Sequence, residues 1–279
     1  MFFNNRNSVL LTNNASGGGA NYALGLFENN VLNGNGFDSN IGFGLTATNA
    51  SALNLLVRNN TVTNYRGEDL DGDGVLDPGE DVNGNGVLDP GIAFRIESTD
   101  RAVVNAVSIP GDPNDPNDPG LTLGILDNTA TDNGTGLLLL VDAESVLNAD
   151  VSGNTFSNNN DPNTGVSMIA DGGMLNLMAF SNNVVFGNSG IGVRLLAFGD
   201  GTIASLISED LNNNGILDAG EDANGNGRLD LGFTGNRITG NGDSGLVVVA
   251  NDGTISNLFI GSPDSTLPDA DPFGSDAET

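Results

Sequence analysis

A pattern of Asn, any residue and an apolar residue returns along the chain at nearly constant spacing, and this periodicity restricts the possible folds more than any other feature. The pattern begins at Asn30, Asn60, Asn128, Asn154, Asn183 and Asn236. Copies without large insertions between them lie 30, 26 and 29 residues apart, and the longer intervals shorten to about one repeat once their insertions are removed. A repeat of this length cannot bury its own apolar face, so successive repeats must stack as rungs of a solenoid.

Each repeat has the same internal order: an Asn-rich turn, a glycine, an alternating strand, a tight turn and a second apolar strand. The first strand is exemplified by Ile92, Phe94 and Ile96, and the second by Leu175-Asn176-Leu177. Alternation of apolar residues with others indicates a strand with one buried face. The repeat therefore predicts two strands per rung and an all-β chain.

The rung period and the Asn columns resemble those of the right-handed parallel β-helix proteins, the pectin-lyase-like architecture, over roughly residues 25 to 261. The resemblance implies an all-β, right-handed parallel β-helix (solenoid) of about six to eight rungs, in which Asn amides bond from rung to rung. We predict one β-helix domain over residues 1–261, with inserts at 68–91 and 209–232, and an acidic flexible tail or linker over 262–279. The architecture hosts many functions and indicates no particular activity.

The strongest chemical motif is the segment DLDGDGVLDPGE, from Asp69 to Glu80. Calcium takes six to eight oxygen ligands, and a twelve-residue loop supplies them from positions 1, 3, 5, 7, 9 and 12 when a Gly at position 6 allows the turn. The residues at those positions are Asp69, Asp71, Asp73, the Val75 carbonyl, Asp77 and Glu80, with Gly74 at position 6. This loop therefore carries a complete set of candidate calcium ligands.

Three further loops follow the same pattern. The next copy begins at once and lacks its last ligand, because Ile92 stands at position 12; its candidate ligands are Asp81, Asn83, Asn85, the Val87 carbonyl and Asp89. The pair returns 141 residues later as a complete loop with Asp210, Asn212, Asn214, the Ile216 carbonyl, Asp218 and Glu221. Its incomplete companion ends in Phe233 and offers Asp222, Asn224, Asn226, the Arg228 carbonyl and Asp230. A complete loop followed by an incomplete one, found twice, argues against coincidence.

These double loops resemble the calcium loops of dockerins and, in their tandem spacing, thrombospondin type 3 repeats. The resemblance covers only the two inserts and implies that calcium drives the folding of each. The alternative is a pair of solvated acidic loops. Residues 68–91 hold eight carboxylates and no basic group, and charges within a Debye length of about 8 Å repel one another unless a cation bridges them. We expect a modest affinity of about 10⁻⁴ to 10⁻³ M, which suits extracellular calcium.

The charge and composition narrow the possible partners. Acidic residues number 36 against 8 basic ones, all Arg, which gives a formal charge of −28. Such a surface repels nucleic acid and anionic membranes, so we expect calcium as the cofactor, no nucleic acid and no membrane insertion. The absence of His and Cys removes imidazole bases, zinc sites, thiol chemistry and disulfides. The opening segment MFFNNRNSVLL is not expected to act as a signal peptide.

One further pattern could belong to an enzyme. Aspartates follow the first strand of several repeats, at Asp100, Asp142, Asp171, Asp200 and Asp252, with Asn49 in the equivalent place. Stacking would space them about 4.8 Å apart in one row, which could pair carboxylates for glycoside cleavage or bind cations. The alternative, which we favour, is that Asp, often followed by Gly, forms the turn. Arg95 and Arg194 occupy a matching position on the first strand, but the chain has no Lys to serve as a lyase base.

We therefore expect a non-catalytic extracellular or cell-surface module, a calcium-stabilised β-solenoid that forms part of a filament or of a large adhesin-like surface protein. A β-helix leaves open strand edges at its ends and no capping segment is evident, so we expect other copies or further chain to continue it. The alternative is a carbohydrate-binding or polysaccharide-degrading β-helix with a glycan partner. A groove containing an Arg and clustered Asp residues would favour the enzyme, whereas a flat polar face would favour the structural module.

Overall fold

The computed structural model describes residues 2–3, 7–15, 22–36, 40–68, 75–81, 84, 86, 88–89, 91–109, 120–160, 164–205, 232–256 and 258. Across these ranges the chain forms strands and turns, and none of it forms a helix that is long and apolar enough to cross a membrane. Short runs of apolar and β-branched residues favour strands because these side chains pack well on a pleated surface. The Asn, Asp and Gly residues between the runs favour turns.

Three sheets of parallel strands contain all of the described strands, numbered here in chain order. Sheet 1 consists of β1 (Phe2–Phe3), β4 (Val31–Gly36), β7 (Thr61–Tyr65), β11 (Thr129–Thr131), β14 (Thr155–Ser157), β17 (Val184–Phe186) and β20 (Arg237–Thr239). Sheet 2 consists of β2 (Asn7–Asn14), β5 (Ile41–Thr48), β8 (Ile92–Ser98), β12 (Thr135–Asp142), β15 (Thr164–Asp171), β18 (Ile191–Phe198) and β21 (Leu246–Asn251). Sheet 3 consists of β3 (Tyr22–Glu28), β6 (Ala52–Arg58), β9 (Val103–Ala106), β10 (Gly124–Leu126), β13 (Val146–Ser152), β16 (Met174–Ser181), β19 (Thr202–Ser205) and β22 (Thr254–Ser256).

The chain visits the three sheets in rotation, so each strand pairs with the strand one repeat before it and one repeat after it. Phe43 pairs with Phe94, and Phe94 pairs with Leu137, in strictly parallel register. In sheet 3, β6 pairs with β9 through its first residues and with β10 through its last, because residues 107–123 interrupt the strand between them. The expectation of an all-β parallel fold is confirmed, and the arrangement is consistent with a parallel β-solenoid.

Each repeat contains three strands, where the sequence predicted two. The additional strand belongs to sheet 1 and follows directly after the repeating Asn, as in Thr129–Thr131 after Asn128. Most of these strands have only three residues and bury at most one apolar side chain, such as Ala130 or Phe156. A single buried residue gives no alternation, so periodicity alone could not separate this strand from the Asn-rich turn.

The core consists of columns of inward-facing side chains from the three sheets. One column of sheet 2 runs through Leu45, Ile96, Leu139, Met168 and Leu195, all of which are buried. Sheet 3 contributes the buried column Leu53, Val104, Leu147, Leu175 and Ile203. These are the residues that the alternating pattern placed inside. Stacking them removes their apolar surface from water, which stabilises the fold by about 1.5 to 3 kcal/mol for each large side chain.

The repeating Asn residues form a buried ladder, as the resemblance implied. In this first ladder the Nδ2 atom of each member donates to the Oδ1 atom of the next at 3.0 Å, through Asn30, Asn60, Asn128, Asn154, Asn183 and Asn236. The preceding residue takes a left-handed conformation where it is Asn29, Asn59, Asp127 or Asn182, with φ between +53° and +57°. The Asn side chains therefore provide hydrogen-bond partners for backbone groups at a corner that lies outside the β-strands.

A second buried ladder, not predicted from the sequence, lies at the corner between sheets 1 and 2. It runs through Asn133, Asn159, Asn188 and Asn241, with Nδ2 to Oδ1 distances of 2.9 to 3.2 Å. Each member stands five residues after a member of the first ladder, as Asn133 does after Asn128. That constant spacing is the sequence feature that could have revealed it.

Candidate calcium loops and the acidic edge of sheet 2

The first double loop, residues 68–91, connects two neighbouring core strands at the corner between sheets 1 and 2. It leaves after β7, whose Tyr65 is fully buried, and returns directly into β8 at Ile92. The second double loop, residues 209–232, connects β19 of sheet 3 with β20 of sheet 1. The two inserts therefore start from different corners of the solenoid, and each joins strands that are fixed by the core.

The base of the first double loop is closed by Glu68, which precedes the first candidate ligand. The amide of Glu68 donates to the carbonyl of Asp89 at 3.0 Å, and the amide of Asp89 donates back to Oε2 of Glu68 at 3.3 Å. Glu68 is fully buried. A buried carboxylate is unfavourable unless it is hydrogen-bonded or paired, so the Glu68 carboxylate favours the conformation in which the amide of Asp89 donates to it. Glu68 thereby holds the two ends of the insert together. Sequence analysis did not select it, although Glu209 precedes Asp210 in the same way.

The second calcium-type loop has its predicted turn at the position that the motif requires. The amide of Gly86, at position 6, donates to Oδ2 of Asp81, at position 1, over 2.9 Å. Gly86 has a φ of +72°, a left-handed conformation that favours glycine. This bond folds the chain back on its first candidate ligand and orients the Asp81 carboxylate.

The last candidate ligand of the first loop, Glu80, is held by the residue at position 9. The amide of Asp77 donates to Oε2 of Glu80 at 3.0 Å, and the amide of Glu80 donates to the carbonyl of Asp77 at the same distance. Glu80 is 4% exposed, whereas Val75 and Asp77 are exposed. The Glu80 carboxylate is therefore withdrawn from water and fixed against the loop backbone, at the position that supplies a bidentate ligand in loops of this kind.

The remaining candidate ligands lie outside the described residues. They are Asp69, Asp71, Asp73, Asn83, Asn85, Val87 and all eleven candidates of the second double loop, from Asp210 to Asp230. Among the residues that are described, including Val75, Asp77, Glu80, Asp81 and Asp89, no three acidic side chains are grouped so that they could hold a metal ion. The calcium sites therefore stay a prediction from the sequence.

The prediction of one row of aspartates after the first strand is wrong, because these residues are not in register. Asp142 pairs with Asp171, but Asp171 pairs with Phe198, so Asp200 lies two residues beyond the row. Asp100, Asp200 and Asp252 lie in the corners and have φ values of +52°, +68° and +56°. Such left-handed positions favour Asp, Asn and Gly, which supports the turn interpretation for these three residues. The row fails because Asp occupies different positions within the corner: it is the first residue after Val141, the second after Ser98 and the third after Ala197, three residues that share one column.

The pair that is in register, Asp142 and Asp171, forms an acidic edge on sheet 2. Burial raises the pKa of Asp142, and the neighbouring carboxylates of Asp100, Glu97 and Asp171 raise this pKa further. The Oδ1 atom of Asp142 is buried without a hydrogen-bond partner. Glu97 forms an ion pair with Arg95 and accepts a hydrogen bond from Thr46 Oγ1 at 2.9 Å.

The two arginines of the first strands lie in one column, as the sequence indicated. Leu138 and Ser167 separate them along the column. Arg194 donates to Ser167 Oγ from Nε at 3.3 Å and from Nη2 at 3.2 Å. The column between the arginines and the acidic edge runs through Glu97, Leu140, Ile169 and Leu196, so Arg95 adjoins a carboxylate whereas Arg194 adjoins apolar side chains.

A shallow cavity of about 240 Å³ lies at the corner between sheets 2 and 3. It is lined by Glu144, Ser145, Val146, Gly172, Gly173, Met174, Asp200 and Thr202. Glu144 is paired with Arg101 at 2.9 Å on the open surface. The lining has two carboxylates and no aromatic ring, which suits a sugar poorly because rings are the usual stacking platform for sugars.

Searches against protein-family models, curated proteins and solved structures found no significant match.

Proposed function

We propose that this protein is a non-catalytic, calcium-stabilised module of an extracellular or cell-surface structure, built as a right-handed parallel β-solenoid. The observation that carries the proposal is the first double loop, in which the position 1 carboxylate of Asp81 accepts a hydrogen bond from the position 6 amide of Gly86. Both double loops connect strands at corners between the sheets. A calcium ion in each complete loop would neutralise carboxylates that otherwise repel one another.

The ends of the solenoid support a role in assembly. Leu11 and Val248 belong to the first and last strands of sheet 2 and lie in the same inward column as Leu45 and Leu195. They are 46% and 42% exposed, whereas Leu45 and Leu195 are buried. Apolar core columns that are open at both ends suit continuation by another coil, either from a further part of a longer chain or from another copy in a filament.

The extracellular assignment follows from the expected affinity. Loops with several Asn ligands or without the terminal Glu carry less negative charge, and the expected dissociation constants of about 10⁻⁴ to 10⁻³ M match extracellular modules. The loops would be filled where calcium is millimolar and empty in a cell interior. The chain has no Cys and therefore no disulfide. This composition is compatible with an extracellular location, because the stacked core and the bound metal would supply the stability.

Thermal unfolding in the presence of calcium tests the metal part of the proposal. At about 5 mM calcium we expect each filled site to add about 1 to 2 kcal/mol to the free energy of unfolding, by mass action at the expected affinity. The variant Glu80→Gln should lose the contribution of the first loop. Its matched control, Glu144→Gln, changes an exposed carboxylate that is paired with Arg101 and should respond to calcium like the wild type. An unfolding temperature that calcium leaves unchanged would refute calcium stabilisation.

Light scattering and negative-stain microscopy test the assembly part separately. We expect filaments or elongated oligomers in calcium if copies stack end to end. Monodisperse monomers both in calcium and in chelator would contradict self-assembly of this chain while leaving calcium stabilisation intact.

The corner cavity is the candidate site for the alternative function, carbohydrate binding or cleavage, because its lining includes Glu144 and Asp200. Titration with acidic and neutral oligosaccharides tests it. Saturable binding that is lost in Asp200→Asn would favour the alternative over a purely structural role.

A further inference from the structure

Several strands of sheet 2 are apolar on both faces. The strand β12 reads TGLLLLVD, β18 reads IGVRLLAF and β21 reads LVVVAN. Strands that are covered on both sides have nearly continuous apolar sequences, whereas a strand with one face in water alternates. The sequence of these strands therefore predicts a cover on the outer face of sheet 2.

The outward side chains of these strands form one continuous patch, which we name the apolar stripe. Its central column runs in register through Leu140, Ile169, Leu196 and Val249, one residue from each of four neighbouring strands. The stripe consists of these four residues with Leu138, Phe198 and Val247. All seven are at least partly exposed, and Val249 reaches 39%.

The outer faces of the other sheets differ from the stripe. Sheet 1 presents two columns that consist mainly of hydroxyl side chains. One runs through Thr61, Thr129 and Thr155 to Val184, and the other through Thr63, Thr131 and Ser157 to Phe186. Sheet 3 presents a ladder of Asn54, Asn105, Asn148 and Asn176, whose amides bond to one another at 2.7 to 3.2 Å. Beside this ladder runs one apolar column, Ala52, Val103, Val146 and Met174. The apolar stripe differs because it spreads over three neighbouring columns of sheet 2, and a contiguous apolar surface of this kind marks an interaction site.

Opposite charges flank the central column of the stripe. Arg95 and Arg194 lie in the column on one side, and Asp142 and Asp171 lie in the column on the other. Outward residues of one strand are about 6.6 to 7 Å apart, and neighbouring strands are about 4.8 Å apart. The face thus has a basic edge, an apolar centre and an acidic edge.

We propose that the apolar stripe binds the same stripe of a second copy of this chain, with the two solenoid axes parallel and the facing strands antiparallel. A two-fold axis parallel to the solenoid places the basic edge of one copy over the acidic edge of the other. Arg194 then faces strand β18 of the second copy and lies one strand spacing, about 4.8 Å along the axis, from Asp171 of that copy. Arg95, which forms an ion pair with Glu97 of its own chain, lies at the same offset from Asp142 of the second copy.

The outer face of sheet 2 is complementary to itself, and this property indicates a second copy of the chain as the binding partner. An isologous interface requires a patch that matches itself after a two-fold rotation, and this face satisfies that requirement in shape and in charge. A cation from the second copy would offset the repulsion among Asp142, Asp171 and Asp100 that raises the pKa of Asp142.

The large negative charge predicts how this pairing depends on salt. Two chains that each carry a formal charge of −28 repel one another over a Debye length. Raising the ionic strength from about 0.02 to 0.15 M should therefore strengthen pairing, since the apolar contact is not weakened by salt and the long-range repulsion is screened. This inference does not depend on calcium binding by the inserts, because the stripe lies on the strands of sheet 2.

Sedimentation velocity on the full chain in about 0.15 M salt with calcium tests the proposal. We expect a concentration-dependent monomer to dimer equilibrium. Leu196→Lys should weaken dimerisation by at least about tenfold, since it places a charge in the centre of the interface. The matched control is Met174→Lys, which adds the same charge at an outward residue of sheet 3 that is 43% exposed, and it should leave the equilibrium unchanged.

A charge exchange provides a second test that does not disturb the apolar centre. Arg194→Asp and Asp171→Arg should each weaken dimerisation, and the chain carrying both substitutions should recover it.

Circular dichroism identifies any variant that does not fold, and the Arg194 and Asp171 variants decide the question if Leu196→Lys fails to fold. A wild type that remains monomeric, or a Met174→Lys variant as weak as Leu196→Lys, would overturn the proposal. Association that survives in Leu196→Lys but is lost in Val248→Lys would also overturn the proposal, because the copies would then contact one another through the ends of the stacked sheets.

Discussion

The Oδ2 atom of Asp81 accepts a hydrogen bond of 2.9 Å from the amide of Gly86, five residues further along the chain. The two residues hold positions 1 and 6 of a twelve-residue loop whose pattern is that of a calcium site. The bond fixes a carboxylate that would coordinate the metal, and it depends on a glycine that can take a φ of +72°.

Replacing Gly86 with Ala should therefore weaken calcium binding by the incomplete loop of the first insert. A left-handed conformation costs an L-residue about 1 to 2 kcal/mol, which corresponds to a loss of about five- to thirtyfold in affinity if the bound loop must keep it. The control is Gly240→Ala, at a corner with a φ of +63° and open space around the new methyl group. It should lower the stability of the solenoid without changing calcium affinity, both measured by titration calorimetry and thermal unfolding.

Removal of the Glu68 side chain should loosen the base of the first insert. Glu68→Ala leaves the amide of Asp89 without its carboxylate acceptor and should lower the free energy of unfolding by about 1 to 3 kcal/mol. Glu68→Gln keeps an acceptor oxygen and should cost less. Urea denaturation measures both values, and hydrogen exchange of the Asp89 amide shows whether the base has opened. Equal stability of Glu68→Ala and the wild type would contradict this role.

Substitution in the buried Asn ladder should lower stability far more than substitution in the partly exposed Asn ladder of sheet 3. Asn154→Ala removes the 3.0 Å bond from Nδ2 to Asn183 and the 2.8 Å bond to the Ile125 carbonyl, and it leaves the amide of Asn128 without an acceptor. Buried groups left unsatisfied cost about 1 to 3 kcal/mol each, so the variant should lose several kcal/mol. Asn148→Ala, in the outward ladder of sheet 3, should lose less than about 1 kcal/mol because water replaces its partner. Comparable losses in the two variants would contradict the assignment.

The raised pKa of Asp142 predicts a difference in pH dependence between the wild type and Asp142→Asn. The folded state of the wild type holds the Asp142 proton more tightly than the unfolded state does, because burial and the carboxylates of Asp100, Glu97 and Asp171 disfavour the charge. Stability linked to this group is therefore complete below its ordinary pKa of 3.8 and is lost as the pH rises through the higher folded value. Asp142→Asn should be the more stable protein at neutral pH, and this advantage should disappear in acid. Unfolding temperatures between about pH 3 and pH 7 measure it, with Asp200→Asn as the exposed control.

The sequence predicted those parts of the fold that are governed by alternation and by a fixed period. The inward columns through Leu139 and Leu147 and the ladder through Asn154 lie where the repeat placed them. The strands of sheet 1 were missed because a segment such as Thr129–Thr131 buries one side chain and shows no alternation.

The acidic residues show the limit of reasoning from repeats. Assigning every aspartate after the first strand to one position put Asp142 and Asp200 in one row, but Asp142 directly follows Val141 whereas Asp200 lies three residues after the equivalent Ala197. The position of Asp within a corner follows from local turn chemistry, here the left-handed Asp200, and not from the period of the core. The outward apolar residues Leu140 and Leu196 broke the expected alternation, and that departure was the feature that pointed to the stripe.

Calorimetric titration of the calcium-free protein with calcium, repeated with magnesium, tests the account most directly. The loops predict saturable calcium binding at about 10⁻⁴ to 10⁻³ M with at least one ion for each complete loop, a marked preference over magnesium, and loss of one site in Glu80→Gln. Equal, unsaturable binding of both metals would show that they act only as counterions to the acidic surface, and it would contradict the proposed calcium sites.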